Sequence, residues 1–122
     1  KNKMEQSVLL VGRIPRMEVP NWLAVADVIA VPRNADIRSA PYYCPESVWK
    51  VTEALFLDKP VVSCPVGGFI DSPYKGVKTA PLEQFHEAIV ETLKNPPKVE
   101  ISKNFVWDYS EEQLRVAYEE IE

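Results

Sequence analysis

The residues best suited to bind a ligand are concentrated in residues 45–62, where a loop leads into a predicted helix and then a strand. The first amides of a helix have no partner within it, and the helix dipole favours an anion beside them. Here they belong to Glu46, Ser47 and Val48. One to two turns further on, Lys50 and Glu53 lie opposite the apolar stripe, and a carboxylate there can accept hydrogen bonds from two hydroxyls, such as a ribose diol. The segment therefore predicts a phosphate- or sugar-binding site, with an ordinary surface pair of Lys50 and Glu53 as the alternative.

Arginines and glycines supply the other candidate contacts. The planar guanidinium of arginine donates two parallel hydrogen bonds to a phosphate. The arginines that follow predicted strands are Arg13, Arg16, Arg33 and Arg38. Gly12 and the Gly67-Gly68 pair fall in the same loops, where glycine lets the backbone approach a ligand closely. Solvated surface charge and a plain turn are the alternatives for these residues.

Strands must alternate with helices to place these loops together. Apolar runs bounded by proline or glycine predict strands at Val8–Val11, Val28–Val31, Pro60–Cys64 and Gly76–Thr79. Helical spacing predicts helices at Asn21–Ala26, Ser47–Leu57, Pro81–Asn95 and from Ser110. This order predicts an α/β fold, a Rossmann-like three-layer α/β/α arrangement around a mainly parallel sheet. Ligands bind such sheets at the carboxyl ends of the strands, where the loops described above begin.

The apolar patterns also predict which side of each element is buried. The runs Val8–Val11 and Val28–Val31 are expected to be buried on both faces, and Gly76–Thr79 is expected at an edge. The residues expected to face the core are Trp22, Leu23 and Ala26 in the first helix, Val48, Val51, Thr52 and Leu55 in the second, and Leu82, Phe85, Ile89 and Leu93 in the third. In the last helix, Ser110–Gln113 forms a capping box, followed by an apolar stripe of Leu114, Tyr118 and Ile121.

Composition and net charge exclude several classes of function for this chain. A length of 122 residues, a net charge of −4 and a pI near 5.1 predict one domain, residues 1–122, and argue against a nucleic-acid binder. No apolar run is long enough to predict a transmembrane segment. His86, Cys44 and Cys64 are the only histidine and cysteines, so the usual zinc spacings are excluded and a catalytic triad would depend on His86. Two cysteines without a secretion signal predict a cytoplasmic protein.

An ordered set of motifs runs through nearly the whole chain. The segments are Val11-Gly12, Ala26–Pro32, Glu53–Leu55, Asp58–Val62, Gly67-Gly68, Phe105–Trp107 and Tyr118-Glu119. The set resembles the C-terminal domain of nucleotide-sugar-dependent glycosyltransferases of the two-Rossmann-domain (GT-B) class, in the group called family 4. Those enzymes carry a strand ending in Gly, then Ala-Asp-x4-Pro, a Glu-x7-Glu helix running into Gly-Lys-Pro-Val-Val, and a Gly-Gly loop. The order of the motifs, rather than any single one, carries the resemblance.

The resemblance implies an enzyme that transfers a sugar from a nucleotide-diphosphate-sugar donor to an acceptor hydroxyl. It implies that Glu53 holds the ribose hydroxyls of the donor. The other residues that it places in the donor site are Lys50, Glu46, Ser47, Val48, Gly12, Arg13, Arg33, Gly67 and Gly68. It implies no cofactor and no metal, and the chain has no Asp-x-Asp motif. The acceptor would bind an N-terminal domain outside this chain, through which the enzyme could also associate peripherally with a membrane.

Two departures from the family pattern leave alternatives open. Pro45 stands eight residues before Glu53, where the family has the glutamate that contacts the donor sugar, and Glu46 falls one place late. Ser47, Lys50 and Glu53 instead fit a Ser-x-x-Lys-x-x-Glu form of this helix. The family's first strand, with its phosphate-binding Arg and Lys, has no counterpart before Val8. The alternatives are a non-catalytic domain that keeps the fold, and an unrelated flavodoxin-like or receiver domain.

Overall fold

Three short parallel strands form the sheet: β1 (Ile29–Val31), β2 (Val61–Ser63) and β3 (Val77–Thr79), arranged in chain order. The structure is a computed structural model that describes residues 6–32, 49–70 and 74–100. β1 and β2 are connected through a helix, as parallel neighbours require. Three of the four predicted strands are confirmed, with β3 at an edge of the sheet, and the fold is α/β.

Three helices are present among the described residues: α1 (Val19–Ala24), α2 (Trp49–Phe56) and α3 (Phe85–Lys94). Short 3₁₀ turns precede α1 at Arg16–Glu18, follow β2 at Gly67–Phe69, and precede α3 at Leu82–Gln84. Pro20 lies in the first turn of α1, as predicted, because that position needs no amide donor. The predicted last helix from Ser110 lies outside the described residues.

The core consists of two clusters, one on each face of the sheet. Successive side chains of β2 alternate, so Val61 points to one face and Val62 to the other, and both are fully buried. The α2-side cluster contains Ile29, Val31, Val51, Ala54, Leu55, Val61 and Phe69. The α3-side cluster contains Val62, Cys64, Val66, Ala80, Phe85 and Ala88. Helices therefore cover β2 on both sides, which is how a central parallel strand is buried.

The run Val8–Val11 does not form the predicted buried strand. Its four side chains are 51%, 77%, 90% and 41% exposed, and no pairing with the sheet is present. A strand forms when a neighbour satisfies its amides and carbonyls, and among the described residues no strand lies beside this run. An apolar sequence alone was not sufficient to place it in the sheet.

Three further burial predictions, in β1, α3 and α1, are wrong. Ala30 in β1 is exposed although Ile29 and Val31 are buried, because no helix covers that side of β1 within the described part of the chain. In α3 the inner face is Phe85, Ala88 and Thr92, whereas Leu82 and Leu93 are 59% and 51% exposed. Thr92 can occupy an inner position because its hydroxyl donates to the Ala88 carbonyl at 2.8 Å. In α1, Trp22 remains 41% exposed while Leu23 and Ala26 pack against the α2-side cluster.

A pair of hydrogen bonds ends α2 and turns the chain into β2. The Asp58 amide donates to the Leu55 carbonyl at 3.1 Å, and the Lys59 amide donates to the Ala54 carbonyl at 2.9 Å. This is a Schellman motif, in which the residue after the C-cap adopts the left-handed conformation. Asp58 holds that conformation, with φ +55°. It is a position that favours glycine, and the strain there is local to Asp58.

Replacing Asp58 with glycine is expected to raise the free energy of unfolding by roughly 0.5–1 kcal/mol, because glycine adopts positive φ without steric cost. Urea denaturation followed by circular dichroism measures the change. The matched control is Asp27→Gly, at an exposed position where φ is not positive, and it should lower stability. Equal effects of the two substitutions would refute the assignment of strain to Asp58.

After α3 the chain returns along the amino end of β3. Val99 packs against the α2-side cluster, and the Glu100 amide donates to the Lys75 carbonyl at 3.3 Å. The Glu100 carboxylate lies 2.7 Å from Lys75 Nζ and 3.2 Å from Lys98 Nζ. The hydrogen bond from Lys75 and then that from Lys98 lower the pKa of Glu100 below its usual value. This segment therefore connects α3 back to the opposite face of the sheet.

Candidate functional site

The Gly67-Gly68 turn lies over the carboxyl end of β2 and is anchored on both faces of the sheet. Val66 is buried in the α3-side cluster and Phe69 in the α2-side cluster. Gly67 has φ +55°, a conformation that glycine adopts at no steric cost. The amides of Phe69 and Ile70 close the turn by donating to Val66 and Gly67 carbonyls, each at 3.1 Å. The amides of Gly67 and Gly68 are not used in closing it.

Ser63 ties the carboxyl ends of β1 and β2 together. Its side chain is fully buried, and the hydroxyl lies 3.2 Å from the Val31 carbonyl and 3.4 Å from the Cys64 carbonyl. The hydroxyl satisfies its donor at the point where β1 ends, so the starting position of the next loop is fixed. The apolar pattern of the strand did not predict this role for Ser63. The available signal was a hydroxyl residue inside an otherwise apolar strand.

The packing of α2 fixes which side of the helix carries Lys50 and Glu53. Val51, Ala54 and Leu55 are fully buried against the sheet, which leaves Lys50 exposed and Glu53 half-buried on the other side. The two side chains do not form a salt bridge, although both are described. The surface-pair alternative is therefore not realised. Glu53 is a half-buried residue, and its carboxylate has no partner within the described residues.

The remaining predicted site residues are only partly placed. Glu46, Ser47, Val48 and Arg33 lie outside the described residues. Gly12 has φ +73° with open space around its Cα, and Arg13 is exposed. Because Val8–Val11 is not a strand, the expectation that a strand end would bring Gly12 and Arg13 to the sheet edge is wrong. Glu53 lies on α2, which packs against β2, and the glycine turn directly follows β2.

The other reactive side chains form no second site in the described part of the chain. Cys64 is buried in the α3-side cluster, where a thiol packs as a small apolar group. The His86 side chain is 76% exposed on α3, with Glu87 at 3.9 Å. No group of three or more His, Cys, Asp or Glu side chains is arranged to hold a metal ion among residues 6–32, 49–70 and 74–100. Within the same ranges, no helix has the length and apolar character to cross a bilayer.

A cavity of about 230 Å³ lies between β3 and α3, away from the carboxyl edge. Lys78 and Glu91 line it, together with Asn95 at the end of α3 and Pro97 beyond it. Lys78 Nζ and Glu91 Oε2 are 2.5 Å apart, so the charged groups on its walls already satisfy each other. The cavity is therefore separate from Glu53 and the glycine turn, and it offers no unpaired charge to a ligand.

Comparison of the chain with protein-family models, with curated proteins and with solved structures returns no match. The described residues form an α/β fold with a parallel sheet.

Proposed function

We propose that this chain is the donor-nucleotide-binding part of a glycosyltransferase of the GT-B, family-4-like class. The complete enzyme would move a sugar from a nucleotide-diphosphate-sugar to an acceptor hydroxyl. The proposal is supported by the parallel order β1–α2–β2 with helices on both faces, which is compatible with a Rossmann-like domain. It is also supported by the order of the motifs along the chain.

The position of Glu53 on α2, with its side chain unpaired among the described residues, carries the proposal. Glu53 has neither a salt bridge nor a hydrogen bond from its side chain among the described residues, so its carboxylate is available to a ligand. A ribose diol would supply two donors to one carboxylate. The fully buried side chains of Val51, Ala54 and Leu55 hold α2 against the sheet. The position of Glu53 on this helix is therefore fixed.

The glycine turn would contribute backbone contacts to the same donor. Gly67 and Gly68 carry no side chain beyond the Cα, so a ligand can approach their amides closely. Catalysis would then come from holding donor and acceptor together and from stabilising the leaving diphosphate. In this proposal Lys50 and the amides of Glu46, Ser47 and Val48 contact the sugar or phosphate.

Glu53→Gln is expected to weaken the binding of a nucleoside diphosphate by about 10- to 100-fold, because a hydrogen bond to a charged group contributes about 1.5–3 kcal/mol. Titration of uridine, adenosine and guanosine diphosphates into the isotope-labelled chain, followed by amide shifts, gives the affinity. In the parent chain, shifts should occur near Glu53 and Gly67. The matched control is Glu83→Gln, an exposed carboxylate on the turn before α3, which should leave the affinity unchanged. Shifts confined to other regions, or an unchanged affinity for Glu53→Gln, would refute the site.

The chain by itself should not transfer sugar, because the acceptor is expected to bind a second domain. Incubation with radiolabelled nucleotide sugars and chromatography of the products measures this. Turnover by the purified 122-residue chain would contradict the proposal that donor and acceptor bind to separate domains.

Pro45 favours a second candidate function, a non-catalytic domain that keeps the fold and binds a nucleotide or a protein partner. The proline stands where the family's sugar-contacting glutamate is expected. If nucleoside diphosphates bind and the longer protein containing this chain still fails to hydrolyse or transfer any nucleotide sugar, the non-catalytic function is favoured.

A further inference from the structure

Ser63 is the last residue of β2 and one of two buried polar residues in the part of the chain that the structure describes, the other being Thr92 on α3. Its backbone carbonyl accepts a hydrogen bond from the Ala80 amide, just beyond β3, at 3.0 Å. Its hydroxyl lies 3.2 Å from the carbonyl of Val31, the last residue of β1. Ser63 is therefore held from both neighbouring strands at the carboxyl edge of the sheet, just before the glycine turn.

The Ser63 hydroxyl also reaches the base of the glycine turn through the Cys64 carbonyl. This carbonyl lies 3.4 Å from Ser63 Oγ and accepts a hydrogen bond from the Val66 amide at 2.9 Å. The Val66 carbonyl in turn accepts the hydrogen bond from the Phe69 amide that closes the turn. A hydroxyl has one proton, and both distances exceed the usual value of about 2.7–2.8 Å, as expected for a proton shared between two acceptors. Ser63 thus links the end of β1 to the base of the turn.

The Ser63 side chain lies on the face of the sheet that is covered by α2. Side chains alternate along β2, so Ser63 points to the same face as Val61, which belongs to the α2-side cluster. Phe69, the last residue of the turn, is buried in the same cluster. The hydroxyl that fixes the start of the turn and the helix that carries Glu53 are therefore on the same side of β2.

We propose that Ser63 is a positioning residue of the donor site, whose hydroxyl holds the glycine turn in the conformation that presents the Gly67 amide to the donor. This inference rests on the proposed function, because it concerns the same site. Ser63 is fully buried and has no surface for a ligand to touch, so its effect passes through Cys64 and Val66. Removal of the hydroxyl takes a donor away from the Val31 and Cys64 carbonyls, and the turn loses a contact that fixes its start.

Ser63→Ala in the isotope-labelled chain is expected to weaken the binding of nucleoside diphosphates by about 3- to 10-fold, because the amides of the turn are no longer held in place. Ser63→Thr keeps the hydroxyl and should restore the affinity to within about twofold of that of the unsubstituted chain. The matched control is Thr92→Val, which deletes the other buried hydroxyl, bonded to the Ala88 carbonyl at 2.8 Å. This control should leave the affinity unchanged, because α3 is not part of the donor site.

Hydrogen exchange of the ligand-free variants gives a second measurement. In Ser63→Ala, the Phe69 and Ile70 amides, which close the turn, should exchange at least about threefold faster relative to the Leu55 amide on α2. In Thr92→Val this ratio should not change, because a general loss of stability accelerates all of these amides through global unfolding. The ratio therefore separates a local effect on the turn from a merely structural effect on the whole domain.

The two measurements separate failure of the inference from failure of the proposed function. If the unsubstituted chain binds no nucleoside diphosphate, the proposed function is wrong, and the exchange ratio still decides whether Ser63 holds the turn. If the chain binds and Ser63→Ala leaves the affinity unchanged, the inference is wrong while the proposed function stands. An exchange ratio that Ser63→Ala does not change, or that Thr92→Val changes equally, also contradicts the inference. Weaker binding that Ser63→Thr restores, together with faster exchange in the turn alone, supports it.

Discussion

Replacing Phe69 with alanine is expected to lower the free energy of unfolding by about 3–5 kcal/mol. Phe69 is fully buried in the α2-side cluster and is among the largest fully buried side chains of the described chain. Its removal leaves a cavity beneath the glycine turn, because the backbone there is held by the hydrogen bond that the Phe69 amide donates to the Val66 carbonyl. Urea denaturation measured by tryptophan fluorescence and circular dichroism gives the change.

A control and a milder variant keep this expectation testable. Ile70 is the next residue and is 56% exposed, so Ile70→Ala should change stability by no more than about 0.5 kcal/mol. If Phe69→Ala is too unstable to measure, Phe69→Leu should lower the free energy by roughly 1–1.5 kcal/mol. A loss below about 1 kcal/mol for Phe69→Ala would mean that the turn is not anchored through this side chain.

Replacing Gly76 with alanine is expected to lower the free energy of unfolding by about 2–5 kcal/mol. Two costs combine: roughly 1–2 kcal/mol for a side chain at positive φ, and roughly 1–3 kcal/mol for overpacking. Gly76 has φ +96°, and an added Cβ would lie 2.9 Å from Val99 Cγ2 and 3.2 Å from the Val99 Cα. Because one of these contacts is with backbone, the segment after α3 would have to shift.

Gly12→Ala separates the two costs. Gly12 also has a positive φ, +73°, but a Cβ added there would meet nothing within 4 Å. Its substitution should cost no more than the backbone term, roughly 1–2 kcal/mol, because an added Cβ would meet no neighbouring atom. Thermal denaturation of both variants measures the difference. Equal losses at the two glycines would show that the contact with Val99 is unimportant.

The strands β1, β2 and β3 were predictable because each apolar run is bounded by a residue that stops it. Pro32 follows β1, Pro60 precedes β2, and Gly76 precedes β3. Helical spacing also identified the buried side of α2 through Val51 and Leu55. In these elements the local sequence and the tertiary packing agree, so a pattern of apolar residues was sufficient.

The features that were missed depend on contacts between elements distant in sequence. Val8–Val11 has the composition of a strand, but no strand within residues 6–32, 49–70 and 74–100 pairs with it. The rotation of α3 follows from the Lys78–Glu91 pair and from the internal hydrogen bond of Thr92, which allows a hydroxyl to replace an apolar residue on the inner face. In the candidate site, Glu53 was predictable from its spacing on α2, whereas the role of Ser63 depends on the Val31 carbonyl, 32 residues away.

The glycine turn has a consequence for how the molecule unfolds. The sheet keeps the two core clusters apart, and Val66 and Phe69 place one residue in each within a span of four residues. Neither helix layer can separate from the sheet without straining this turn, so the two layers should melt in a single cooperative transition. Hydrogen exchange of the Val62 and Leu55 amides should then proceed through the same global opening, with the turn adding to the coupling that the sheet provides between the two helix layers.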